Sequence, residues 1–212
     1  MTDDLIARLS ADLKPVRPMA MQRLLIGATL LSTIVAIAAM LMWLGMRTDM
    51  PVAVWTMSFW TKFGYTLIIA ALGGVATLIL ARPDGRTTWP WRAAIAILAA
   101  LLVVAIVQLV RAEPEEMMPL VVGSTSLVCP WRIVLLGLPM LLAAILALRH
   151  MAPANPTLAG FAAGIMAGGA GAWVYSFACA ENGMMFLALF YSLGIVMVGA
   201  IGAVLGRFLL RW

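Results

Sequence analysis

The chain has 212 residues, of which 64% are hydrophobic and 11% charged, with a formal net charge of +5 and a mean hydropathy of +1.05. Soluble domains are about half apolar and a quarter charged, so a soluble core is excluded and lipid must serve as the solvent. The basic excess then belongs to membrane orientation and asks for no direct nucleic-acid partner.

Residues 1–22 read as a cytoplasmic N-terminal amphipathic tail and 23–212 as a transmembrane domain. In the tail, Leu5, Ile6, Leu9 and Leu13 fall on one helical stripe. Thr2 or Asp3 can cap its start, and the acids of the first turn suit the helix dipole. Pro15 and Pro18 end it in a stiff tether that includes Val16. So short a helix needs a surface to rest on. Membrane-surface helices are rich in Lys and Arg, whereas this polar face mixes Asp3, Asp4 and Asp12 with Arg8 and Lys14, which favours a protein groove over lipid. The opening is also unlike a cleavable leader, being acidic at Asp3 and Asp4 and followed by an apolar run of full spanning length.

Residues 24–46, 63–81, 93–110, 133–148, 151–180 and 182–206 carry no charge. Roughly 20 helical residues cross a hydrocarbon core of about 30 Å. Pro130 in a first turn and a snorkelling Arg132 extend the fourth run, while Pro153 and Pro156 trim the fifth. The expectation is an all-α membrane protein, a six-transmembrane-helix bundle with helices at about 24–46, 61–81, 91–110, 130–148, 157–178 and 184–207. With a cytoplasmic N-terminus, Arg8, Lys14, Arg17, Arg23, Arg82, Arg86, Arg92, Arg149, Arg207 and Arg211 lie inside, and Arg47, Lys62, Arg111 and Arg132 lie outside. That distribution obeys the positive-inside rule and puts both termini in the cytoplasm.

The 47–62 loop offers Trp55, Phe59 and Trp60 as interfacial anchors, and Gly73-Gly74 permit close packing or a kink in helix two. The tight 82–92 loop sets topology. From Arg111 to Arg132 runs the longest interruption, with Glu113, Glu115 and Glu116 read as a solvated loop that ends in Cys129. Gly160, Gly164 and Gly168, with Gly202 and Gly206, have the small-residue spacing that lets helices approach closely. Packing within the bundle is preferred to a homodimer face. No ionisable group is expected at bilayer depth, where Gln108 is the most polar side chain; ion-coupled transporters place charges there. His150 reads as a boundary residue. No phosphate loop, zinc-protease motif or catalytic triad occurs, so no enzyme is expected.

Cys129 precedes helix four and Cys179 follows helix five, so an antiparallel hairpin brings both to one end, on the outer side. If that side is a periplasm, three readings stand open: a structural disulfide, a reversible redox switch, or a transient site for Cu or another soft metal. Met117, Met118, Met184 and Met185 lie in the same loops. A dithiol enzyme is disfavoured by the lack of a Cys-x-x-Cys spacing.

Thr2-Asp3-Asp4-Leu5-Ile6, Leu9-Ser10, Asp12-Leu13, Pro15-Val16 and Pro18, then Cys129-Pro130-Trp131 through Leu138-Pro139, Tyr175, Cys179 and the closing Arg211-Trp212 resemble the NrsF family over the full length. The resemblance implies a six-helix anti-sigma factor of the bacterial inner membrane that holds an extracytoplasmic-function sigma factor. It implies that Leu5, Ile6, Leu9, Leu13, Pro15 and Val16 bind that partner and that Cys129 and Cys179 receive the stress signal. Around Cys179 the chain departs from the family context as Phe177-Ala178-Cys179-Ala180-Glu181, with no neighbouring histidine. A small-solute transporter and a membrane thiol-redox protein are the rival readings.

Overall fold

A computed structural model describes residues 20–210. Among these described residues six helices are long and apolar enough to cross a membrane: α1 (Ala20–Trp43), α2 (Met57–Leu80), α3 (Trp89–Arg111), α4 (Cys129–Leu148), α5 (Pro156–Tyr175) and α6 (Met184–Leu209). No strand occurs among the described residues. The protein is an all-helical membrane protein, and around its outside Leu31, Ile34, Val103 and Val110 stay exposed where lipid tails would lie.

Local chemistry sets the helix ends. α1 stops at Trp43 rather than near residue 46 because Gly45 takes a positive φ of 70°. The N–H groups of Leu44 and Gly45 both donate to the Met40 carbonyl, closing the last turn. α2 begins earlier than expected, at Met57, where the Thr56 hydroxyl accepts from Phe59 N–H at 3.4 Å. Asn155 caps α5 in the same way, its Oδ1 accepting from Leu158 N–H at 3.0 Å ahead of Pro156 in the first turn. α5 ends at Tyr175, three residues short of the apolar run that suggested 178. Two short helices lie between the long ones, Met50–Ala53 and Pro114–Val122. The second occupies the stretch read as a solvated loop, with Glu115 and Glu116 in its first turn, where acids favour a helix.

α5 is the axis of the bundle. It packs on α6, α2 and α4 and more lightly on α1, while α3 stands at the edge against α2 and the start of α6. Small residues make this possible. A Cβ on Gly164 would stand 2.6 Å from the Cα of Gly199, and one on Gly160 would stand 2.9 Å from the Cα of Gly206. The two backbones are in contact along their length, so the glycine repeats pack within the chain, as the spacing suggested.

Candidate functional site

The loops α1–α2, α3–α4 and α5–α6 gather at one end of the bundle, and both cysteines lie there. Cys129 is the first residue of α4, held by its N–H to the Thr125 carbonyl at 2.8 Å, with Pro130 next in the first turn. Cys179 lies four residues beyond α5, its N–H on the Tyr175 carbonyl at 3.0 Å. Both are free thiols, and both are buried, at 0% and 3% exposure, in one apolar cluster with Tyr175, Met184, Phe186 and Tyr191. The two thiols are near enough to interact electrostatically, and Tyr191 is close to both, so the structure joins the two cysteines in one site.

α6 shapes the other wall. Its second stretch, Leu187–Tyr191, winds as a π-helical turn, a form that recurs at functional sites. Tyr191 comes fully inside, its ring 5.7 Å from that of Tyr175. Among the described residues the Tyr191 hydroxyl is buried without an oxygen or nitrogen partner, and its neighbours there include the Cys179 and Cys129 thiols. The Tyr175 hydroxyl meets Arg132 Nη1 at 3.4 Å. Arg132 therefore turns partly inward instead of snorkelling freely, and among the described residues its Nε is buried without a hydrogen-bond partner.

Glu181 ties the two cysteine turns together. Its Oε1 accepts from Ser124 N–H at 2.8 Å, from Ser124 Oγ at 2.7 Å and from Thr125 Oγ1 at 3.2 Å. Glu181 follows Cys179 by two residues, and Thr125 precedes Cys129 by four. Partial burial would raise the Glu181 carboxyl, but these hydrogen bonds hold it below the usual carboxylate range. Gly123 is needed beside it: its φ is +59°, and a Cβ there would stand 2.6 Å from Glu181 Oε2.

Two cations close the site from the first hairpin. Arg47 bonds Asp49 through Nε and Nη2, both at 2.6 Å, and donates from Nη1 to the Cys179 carbonyl at 3.1 Å. The hydrogen-bonded Asp49 raises Arg47 above its ordinary value, and Arg47 in turn holds Asp49 below the carboxylate range. Lys62 Nζ donates to the same Cys179 carbonyl at 3.2 Å and to that of Glu181. Lys62 sits in the second turn of α2, at the end expected to lie outside, yet it is buried at 2% exposure rather than solvated. Charge-free runs hid that burial, because Lys62 borders one of them. Phe59 is another departure. Instead of anchoring at the interface it is 3% exposed and packs on Phe177 at 5.9 Å, while Trp55 and Trp60 stay outside.

Of the soft metal donors, Met184 is buried in the same hydrophobic core as the thiols, whereas Met117 and Met118 are exposed. Among the described residues no three of His, Cys, Asp and Glu gather as a metal site. Leu5, Ile6, Leu9, Leu13, Pro15 and Val16 lie outside the described residues.

The chain matches the family NrsF, negative regulator of sigma F, over residues 9–212. It is 39% identical over 213 residues to the anti-sigma-F factor NrsF of Caulobacter vibrioides (strain NA1000 / CB15N), covering 100% of this chain and 99% of that protein. It is 36% identical over 219 residues to the probable anti-sigma-F factor NrsF of Azospira oryzae (strain ATCC BAA-33 / DSM 13638 / PS), covering 100% and 99%. No solved structure matches the chain.

Proposed function

The chain belongs to the NrsF family, a family of regulators rather than enzymes, and from that premise we propose that it is a membrane-held anti-sigma factor switched by Cys129 and Cys179. The N-terminal tail holds an extracytoplasmic-function sigma factor on the cytoplasmic side of a bacterial inner membrane. The thiols lie on the periplasmic side and change state by oxidation, disulfide exchange or capture of a soft metal such as Cu. The distribution of basic residues supports this orientation, and both termini are then cytoplasmic.

The observation that carries the reading is the pair of free thiols buried together at one end of the bundle, opposite the end from which the tail leaves. A disulfide needs Cα atoms about 5.5 Å apart, so its formation would fix the relative positions of the α4 start and the turn after α5. A tenfold change in sigma-factor affinity requires only about 1.4 kcal/mol between two bundle states, within reach of one such bond.

On the cytoplasmic side, Leu5, Ile6, Leu9 and Leu13 form the docking stripe, with Pro15 and Val16 in the tether. Burying roughly 300 Å² of apolar surface at about 25 cal/mol per Å² gives several kcal/mol before ordering costs. The test is co-purification of a sigma factor with the full-length protein. Leu9→Asp puts an unpaired charge into the docked face and is expected to lower retention about 100-fold. Full retention by this variant would remove the stripe from the interface.

A further inference from the structure

The turn that carries Cys179 is gripped by the first hairpin of the chain. Arg47 follows the end of α1, and it holds the turn twice. Its backbone N–H donates to the Phe177 carbonyl at 3.1 Å and its Nη1 to the Cys179 carbonyl at 3.1 Å. From α2, Lys62 donates to the same Cys179 carbonyl at 3.2 Å and to the carbonyl of Glu181. One peptide oxygen, belonging to a proposed sensing residue, is therefore the shared acceptor of two buried cations. Both acceptors that the structure gives Lys62 are backbone carbonyls, so its charge depends on the turn keeping its place. Ser58 Oγ adds a bond to the Asn182 carbonyl at 3.2 Å, a third hold from the same hairpin.

We propose that Arg47, seconded by Lys62, couples the state of Cys179 to α1, the helix from which the N-terminal tail leaves. This rests on the reading of Cys129 and Cys179 as sensing thiols and names the route by which their state crosses the bundle. A new bond at the Cys179 sulfur that displaces its Cα also displaces the carbonyl. Hydrogen bonds fail beyond about 3.5 Å or below about 120°, so Lys62 would lose one of its two carbonyl acceptors, and Arg47, which keeps its Asp49 pair, would lose the bond from Nη1. The cations must follow the turn or lose it. Arg47 cannot absorb the movement in its side chain, because Asp49 pins the planar guanidinium through two bonds of 2.6 Å. The displacement passes to its backbone and to the last turn of α1. α1 packs against α4 and more lightly against α5, so it can shift without unpacking α6 from α5. Lys62, on a flexible stem in α2, holds the turn from the other side.

The experiment uses the full-length protein in lipid nanodiscs with methyl methanethiosulfonate, which adds a methylthio group to each reacting thiol and releases methanesulfinate. Intact mass reads the extent of modification, and amide hydrogen exchange reads the segment 40–53, which spans the last turn of α1 and the Arg47 loop. In the wild type, modification of both thiols is expected to change exchange there about fivefold or more. Arg47→Met, modified to the same extent, is expected to change less than about twofold from its own baseline, with Lys62→Met between the two. A wild-type segment that ignores complete modification, or an Arg47→Met protein that responds like the wild type, overturns the proposal. Should Arg47→Met not yield folded protein, Lys62→Met and Arg47→Lys carry the same comparison. Failure of the thiol-switch reading has a different signature: modified wild-type protein would keep its sigma factor whatever happens in α1.

Discussion

Glu181 is the side chain that locks the two cysteine turns to one another, and it titrates. Its carboxylate takes three hydrogen bonds from Ser124 and Thr125, and they hold it below the usual carboxylate range although partial burial works the other way. A carboxyl lowered in the folded state contributes its full stability above the ordinary carboxylate pKa of about 4.3 and loses it as pH falls through the lower folded value. Glu181→Gln is therefore expected to lower stability by about 1 kcal/mol at pH 7. The gap to the wild type should close below about pH 4, as melting in detergent across pH would record. A gap that stays constant with pH would mean that the charge of Glu181 is not what matters. Neither this lock nor the grip of Arg47 and Lys62 was legible beforehand. Their partners are 57, 132 and 117 residues away in sequence, and backbone carbonyls leave no trace in residue identity.

At the scale of elements, the contact of α5 with α6 sets the shape of the bundle. Gly164 stands where a Cβ would come within 2.6 Å of the Gly199 Cα and closer still to the Val198 carbonyl, so a larger residue must push two helices apart. Gly164→Leu is expected to cost about 3 kcal/mol or prevent folding, read as loss of monodisperse protein on size exclusion. Gly27→Ala in α1, where an added Cβ meets nothing within 4 Å, is expected to leave behaviour unchanged or improve it by up to about 1 kcal/mol. Equal damage from both changes would show that helix contact is not the determinant. The glycine repeats were readable because close helix approach demands small residues at that spacing. So were the six spans, since membrane thickness imposes their length. The helix Pro114–Val122 was not readable: Pro119 lies inside it, and its nine residues are too few for a periodic signal. Helix ends depart from the hydropathy pattern where a glycine turn or a threonine cap overrules it, as at Gly45 and Thr56.

For the whole molecule, the proposed switch joins two ends of a bundle. At one end Cys129 and Cys179 share an enclosed site with two tyrosines and two cations. From the other end the tail departs through α1. The proposed switch needs its thiols buried together and the Cys179 turn mechanically tied to the helix that bears the tail, and a transporter needs neither. That Cys129 and Cys179 lie at one end of the bundle was legible, because antiparallel helices joined by a short turn must bring their far ends together. What lines the thiol site was not, because Lys62 and Tyr191 gain their meaning from burial.

The most direct test of the central claim is sigma-factor-dependent reporter output in cells challenged with a thiol oxidant or a soft metal, in the wild type and in Cys129→Ser, Cys179→Ser and the double variant. The account predicts that the wild type releases its sigma factor and raises output about tenfold or more, while the double variant stays locked in one output state under either challenge. Induction in the double variant equal to that of the wild type, with both substituted proteins present in the membrane at normal levels, would contradict it.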